Sequence, residues 1–211
     1  MKSPIPHTEQ SFFVGLMGAS KNIQRWSLLP QFQTEYLAQH CFDVAVIGHL
    51  LGAIAVDVFN EDVCPDKIAA LCVFHDAAES AGLSDPPSVA KRIDPETKAL
   101  YQQLERKFET VLLNTLPEAL KPRYAPLICQ SKSNRHGQLV KAADIISAYQ
   151  KCAGELSKGN EAFSMAMEDT KSTLEAMAAK DEVCAYYCAH FLELANEPFD
   201  HLAKLQQRND V

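Results

Sequence analysis

The sequence predicts an all-α protein. Apolar residues recur at helical intervals through most of the chain, as in Ile68, Leu71, Cys72 and Phe74, or Leu100, Leu104, Phe108, Val111 and Leu112. No stretch alternates apolar and polar residues with the period of two that marks a half-buried strand. Prolines and glycines fall between the helical runs, where they start or stop helices.

The elements follow in order. Ser11 to Asn22 reads as a first helix, with Phe12, Phe13, Leu16 and Met17 on its apolar face. Asn22 to Pro30 is a connecting loop holding Arg25 beside Trp26, the only tryptophan. Thr34 is a suitable N-cap for a long apolar helix to about Phe59, with Glu35 in its first turn. Asn60 to Asp66 is a loop, and Pro65 opens a helix ending near Gly82. The loop that follows, with Asp85, Pro86, Pro87 and Ser88, is stiffened by its prolines. Further helices are predicted over Pro95 to Leu113, from Leu116-Pro117-Glu118 onward, over Gly137 to Leu156, about Phe163 to Ala179 and Glu182 to Asn196. The polar tail after Pro198 is expected to fray.

With 211 residues, 47% of them hydrophobic, the chain can bury a substantial core as one domain spanning 1–211, its core about 10–195. A formal charge of −7 disfavours non-specific binding to nucleic acid, which depends on neutralising phosphates. It leaves room for a small anionic substrate in a locally basic pocket. The seven cysteines are odd in number and form no Cys-x-x-Cys, so they read as reduced thiols of a cytoplasmic protein. Cys184, Cys188 and nearby His190 offer only an incomplete zinc site. The apolar run from Phe12 to Ala19 is too short to span a membrane, so no membrane partner is expected.

The chemistry concentrates in Val73-Phe74-His75-Asp76-Ala77-Ala78-Glu79. On a continuous helix His75 and Glu79 would share a face, with Asp76 turned about 100° away. Alone, a His-Asp pair is weak evidence, and its bland reading is the polar edge of a helix. His40, on a strongly apolar helix, is by itself more readily a hydrogen-bonded core histidine than a ligand. Asp144 lies between apolar residues and needs a partner if buried, which a metal would supply. Trp26 could simply plug the edge of the core with Arg25 at the surface. It could also offer an aromatic platform to a base or sugar, with Arg25 as a donor fork for phosphate.

Taken together, the order His40, His75-Asp76, Asp144 resembles the HD-domain metal-dependent phosphohydrolases. Arg25-Trp26, Thr34-Glu35 through His40, His75 to Glu79, Asp85-Pro86-Pro87-Ser88 and Lys141 to Asp144 narrow the resemblance to the YfbR-like bacterial 5′-deoxynucleotidases. The resemblance implies an HD-domain helical bundle, a homodimer, and hydrolysis of deoxyribonucleoside 5′-monophosphates. It implies that His40, His75, Asp76 and Asp144 hold one divalent cation, with cobalt or manganese preferred over magnesium or zinc. His40, Asp76, Arg25, Trp26 and the loop Asp85, Pro86, Pro87, Ser88 would contact substrate. Glu79 and Asp85 would be the catalytic carboxylates, one acting on the attacking water and the other on the departing 5′-oxygen. Two departures stand out. One extra residue follows Glu79 in Gly82-Leu83-Ser84-Asp85, and Ser88-Val89-Ala90-Lys91 replaces the family's Thr-Pro-Val-Lys. The rival readings are another HD-domain phosphohydrolase, for a nucleoside triphosphate or a phosphodiester, and a nucleotide-binding protein without turnover.

Overall fold

The computed structural model describes residues 10–87, 90 and 93–209. Ser88 lies outside the described residues, as do Lys91 and Arg92. Among the described residues the regular structure is helical, with a single isolated β-bridge between Gln24 and Tyr36.

Nine α-helices are present among the described residues: α1 Phe13–Gly18, α2 Leu37–Asp57, α3 Pro65–Phe74, α4 Pro95–Asn114, α5 Lys121–Ile128, α6 Arg135–Ser157, α7 Ser164–Ala178, α8 Glu182–Phe191 and α9 Phe199–Asn209. The central helix is α2, which packs on α3, α6 and α8. Its buried residues include Leu37, Val44, Ile47, Leu51 and Ile54, and they meet Ile68 and Leu71 of α3 and Leu139, Ala143 and Ile146 of α6. By length and composition α2 could also cross a membrane; here it is the middle of a helical bundle. Helices α2 and α3 approach closely because Gly52 carries no Cβ. A methyl group there would lie 2.8 Å from Pro65 Cα. A second apolar cluster joins Phe13, Ala77, Leu112, Leu116 and Ile128 beside the first, with Phe13 edge-on to Tyr124 at 5.3 Å.

Several predicted boundaries change. The first helix is shorter: α1 gives way to a 3-10 turn over Ala19–Asn22. Pro117 lies in a turn rather than at a helix start, and α5 begins at Lys121. Instead of fraying, the tail forms α9, whose sequence FDHLAKLQQRN is polar yet helix-favouring. Helix α2 begins at Leu37 with Tyr36 as N-cap, so Glu35 is not in its first turn. The largest change is at residue 75. Helix α3 ends at Phe74, His75 and Asp76 form a turn, and a π turn follows over Glu79–Leu83.

Candidate active site

Three helical segments bring four predicted ligands together. His40 comes from the second turn of α2, His75 and Asp76 from the end of α3, and Asp144 from the middle of α6. One ligand atom each from His40, His75 and Asp144 lies within 4.8 Å of the others. Asp144 Oδ1 is 3.3 Å from His40 Nε2 and 3.9 Å from His75 Nε2. Asp76 Oδ2 is 3.0 Å from His75 Nε2 and 3.9 Å from His40 Nε2. A continuous helix would have sent neighbours 75 and 76 about 100° apart. Here, at the turn that follows Phe74, the two side chains meet at 3.0 Å.

The donor set fits a divalent cation. His40 Nε2 and His75 Nε2 are buried and make no hydrogen bond, although carboxylate oxygens surround them. Their other ring nitrogens are engaged. His75 Nδ1–H donates to the Cys72 carbonyl at 2.7 Å, and His40 Nδ1 lies 3.1 Å from Ser147 Oγ. This is how metal-ligating histidines are oriented, one nitrogen tethered and the other presented. Imidazole with carboxylate suits a borderline-to-hard divalent ion.

The charges of the ligand group act on one another. Burial opposes a charge on His75, but Asp76 and Asp144 overcome it and raise its pKa well above the ordinary histidine value. Burial also opposes ionisation of Asp76, yet His75 holds its pKa below the ordinary carboxylate value. Asp144 is held well below that value, against burial, by Lys141 and the two histidines; Lys141 Nζ is 2.7 Å from Asp144 Oδ2. His40 is pushed the other way by burial and by Arg25, which favour its neutral form.

One face of α6 supports the whole arrangement. Asp144, Ser147, Lys151 and Glu155 recur at intervals of three and four, so they form a single stripe. Asp144 enters the ligand group and Ser147 steadies His40. Glu155, 1% exposed, accepts hydrogen bonds from the Phe32 and Gln33 amides at 2.9 and 3.0 Å, from Lys151 Nζ at 2.6 Å and from Asn160 Nδ2 at 2.7 Å. Burial alone would raise its pKa, but these donors bring it down to about 2. Glu155 thereby fastens the loop that runs from Arg25 to Glu35.

That loop carries the second half of the site. Glu35 Oε2 accepts from Arg25 Nη1 at 2.7 Å and from Trp26 Nε1 at 2.9 Å. The Trp26 ring packs on Phe163, with centroids 5.5 Å apart, and Arg25 lies over its face. Trp26 therefore touches the core edge, as the bland reading expects. It also takes a left-handed backbone, φ 57°, that L side chains rarely adopt and that costs on the order of 1–3 kcal/mol. Its N–H donates to Asp85 Oδ2 at 3.3 Å. Arg25 is buried, which works against its charge, but Glu35, Asp144, Asp76 and Asp85 more than compensate. The two halves of the site thus share one electrostatic field.

Asp85 reaches Trp26 from the loop that follows Glu79. The chain after Glu79 makes a π turn, which closes with Ser84 N donating to Glu79 O at 3.2 Å. Such a turn spans one residue more than an α turn. Gly82 takes φ 125° inside it, a conformation open to glycine. Glu79 heads this turn and is buried, and Pro86 and Pro87 follow Asp85, half-buried. Three residues of this site were not singled out as functional in the sequence: Glu35, Ser147 and Glu155. Ser147 is a polar residue among apolar neighbours, the signal that marked Asp144, but Glu35 and Glu155 looked like ordinary helix-surface acids.

A family model described as 5′-deoxynucleotidase YfbR-like matches residues 12–195. The chain belongs to the YfbR-like family. It is similar to 5′-deoxynucleotidase PBPRA2627 of Photobacterium profundum, 32% identical over 92% of this chain and 100% of that protein. It is also similar to 5′-deoxynucleotidase YfbR of Escherichia coli, 34% identical over 82% of this chain and 87% of that one. Among solved structures, an HD-domain phosphohydrolase (lin2634) from Listeria innocua superposes with a TM-score of 0.71 at 22% identity, covering 93% of this chain and 95% of the other. This YfbR-like chain therefore has the HD-domain fold, and that fold implies a divalent metal.

Proposed function

We infer that the protein hydrolyses 5′-deoxynucleotides, and that its substrates are deoxyribonucleoside 5′-monophosphates. The observation that carries the reading is the pair of buried imidazole nitrogens, at His40 and His75, presented without hydrogen bonds among aspartates in a YfbR-like chain.

His40, His75, Asp76 and Asp144 would hold the cation, with cobalt or manganese preferred over magnesium or zinc. When bound, such an ion supplies positive charge against the phosphoryl group and acidifies water. Arg25 binds the phosphate from the opposite side. Its Nε is buried without a hydrogen-bond partner, and a phosphate oxygen would satisfy it. Trp26 lies against the sugar or base, and Asp85, Pro86 and Pro87 add further substrate contacts, with Ser88, outside the described residues, expected to do the same. Glu79 takes a proton from the attacking water as its oxygen bonds to phosphorus. Asp85 gives a proton to the 5′-oxygen as the P–O5′ bond breaks. Phosphoryl transfer asks mainly for such positioning and charge stabilisation.

The chain is proposed to act as a homodimer in the cytoplasm. Exposed Phe42 and Val46, one turn apart on α2, and Val73 on α3 offer an apolar face, and the seven cysteines are free thiols. Sedimentation equilibrium would read two copies, and a monomer at all concentrations would exclude the pairing.

The reading is tested by phosphate release from metal-stripped protein, with deoxyribo- and ribonucleoside 5′-monophosphates and each cation added back singly. Metal-dependent release from the deoxy series is expected. Metal binding with no release from any monophosphate would overturn it.

A further inference from the structure

We propose that Glu35 is the positioning residue of the substrate site, one carboxylate oxygen setting the Arg25 guanidinium and the Trp26 indole together. The proposal rests on the reading that these two side chains receive the phosphate and the nucleoside.

The local chain is built to hold Glu35 opposite Arg25. Arg25 N donates to Glu35 O at 3.0 Å, Leu37 N donates to Ile23 O at 2.9 Å, and Gln24 bridges Tyr36. Gln31 links the same two residues a second time. Its Oε1 accepts from Glu35 N at 3.1 Å and its Nε2 donates to Arg25 O at 2.7 Å. Glu35 is 6% exposed, so its carboxylate is committed to these partners and not to solvent.

The pairing is not that of a simple buried salt bridge. An arginine serving only to neutralise a carboxylate would face it side-on, with two parallel N–H bonds. Here one nitrogen, Nη1, meets one oxygen, and that same oxygen also takes the Trp26 N–H. Arg25 Nε is left buried without a hydrogen-bond partner. The carboxylate thus fixes the guanidinium by one corner and leaves another N–H for an incoming acceptor. Trp26 is secured at both ends of the residue, its indole by Glu35 and its left-handed backbone by Asp85. A strained backbone held from two sides points to a geometry kept for binding.

The test uses the metal-loaded full chain with Glu35→Ala, Glu35→Gln, Arg25→Ala and the Arg25→Ala/Glu35→Ala double variant. Phosphate release from a deoxynucleoside 5′-monophosphate gives KM and kcat, and fluorescence follows Trp26, the single tryptophan. Glu35→Ala is expected to raise KM about tenfold, with a smaller change in kcat. Its Trp26 emission should move to longer wavelength. Glu35→Gln keeps an acceptor for both N–H groups and should stay within about threefold of the parent KM. In the Arg25→Ala background Glu35→Ala should cost less than about twofold more, because residues acting through one contact are not additive. Unchanged Trp26 emission in Glu35→Ala, additive losses, or a Gln variant as impaired as the Ala variant would overturn the proposal. If the Ala variant fails to fold, the Gln variant and its emission decide. Should the parent protein release phosphate from no monophosphate, the reading of function fails separately. Inorganic phosphate titrated against Trp26 emission then tests Glu35 by itself: about tenfold weaker binding in Glu35→Ala supports it, and unchanged binding overturns it.

Discussion

Ser147 Oγ lies 3.1 Å from His40 Nδ1, while the other nitrogen of that ring stands 3.3 Å from Asp144 Oδ1. A hydroxyl on α6 therefore tethers one edge of this imidazole, while the other edge, without a hydrogen bond, faces a carboxylate one turn earlier on the same helix. Removing the hydroxyl frees the ring to rotate. Ser147→Ala should weaken metal binding about tenfold, as loss of such outer hydrogen bonds does. A metal titration followed by activity should show half-saturation displaced by that factor; an unchanged midpoint would detach Ser147 from the metal site.

A cation that binds the folded chain only must also stabilise it. At one hundred times its dissociation constant it should add about 2.7 kcal/mol, seen as a rise in Tm. His75→Ala and Asp144→Ala should lose this rise. Chelation should return the parent protein to its metal-free Tm, and differential scanning fluorimetry with and without cobalt or manganese reads the whole set.

The two carboxylates make separable predictions. Glu79→Gln and Asp85→Asn should each lower kcat by about 10² to 10⁴, the range of a general acid or base. They should also differ in pH dependence. The variant lacking the base loses the acidic limb of the kcat/KM profile, and the variant lacking the acid loses the basic limb. Retention of both limbs in either variant would remove that residue from the proton transfers.

Acid should loosen the loop from Arg25 to Glu35. Glu155 has a folded pKa of about 2, against 4.5 ordinarily. Because its folded value is depressed, the stability it supplies is full above the ordinary value and drains away as pH falls from about 4.5 towards about 2. Urea unfolding across that window should show a steeper loss in the parent than in Glu155→Gln. Equal slopes would mean that Glu155 is not what titrates.

Gly52 sets the distance between α2 and α3. Gly52→Ala places a methyl 2.8 Å from Pro65 Cα, against backbone that cannot step aside cheaply. Overpacking of this kind costs about 1–3 kcal/mol, measurable as a lowered urea midpoint. A midpoint at or above the parent value would show that the helices can separate without loss.

Much of this was legible beforehand, for definite reasons. The helices were readable because apolar periodicity reports burial directly, whereas His40, His75, Asp76 and Asp144 stood out together only through the resemblance to the HD-domain pattern; the fold places them side by side. The break at His75 was not readable. No proline or glycine marks it, and Ile68 to Phe74 carries a helical pattern up to its edge. Glu35 was misplaced because an acid following threonine looks like the start of a helix. Its true partners, Arg25 and Trp26, are ten and nine residues away across a bridge that has no strand pattern. Glu155 was hidden for a similar reason, since its amide partners at Phe32 and Gln33 are more than 120 residues distant.

The stripe along α6 makes the protein intolerant of length change between Asp144 and Glu155. Adding a single residue between Asp144 and Glu155 would swing everything beyond it by about 100°. The catalytic pocket and the anchored loop would then fall out of phase with each other, even with every side chain retained. The turn after Glu79 is the wider π type, and it is followed directly by Asp85, which stays against Trp26. The residue count of α6 is therefore as much a part of the site as the side chains it carries, because one helix face serves both the ligand group and the loop.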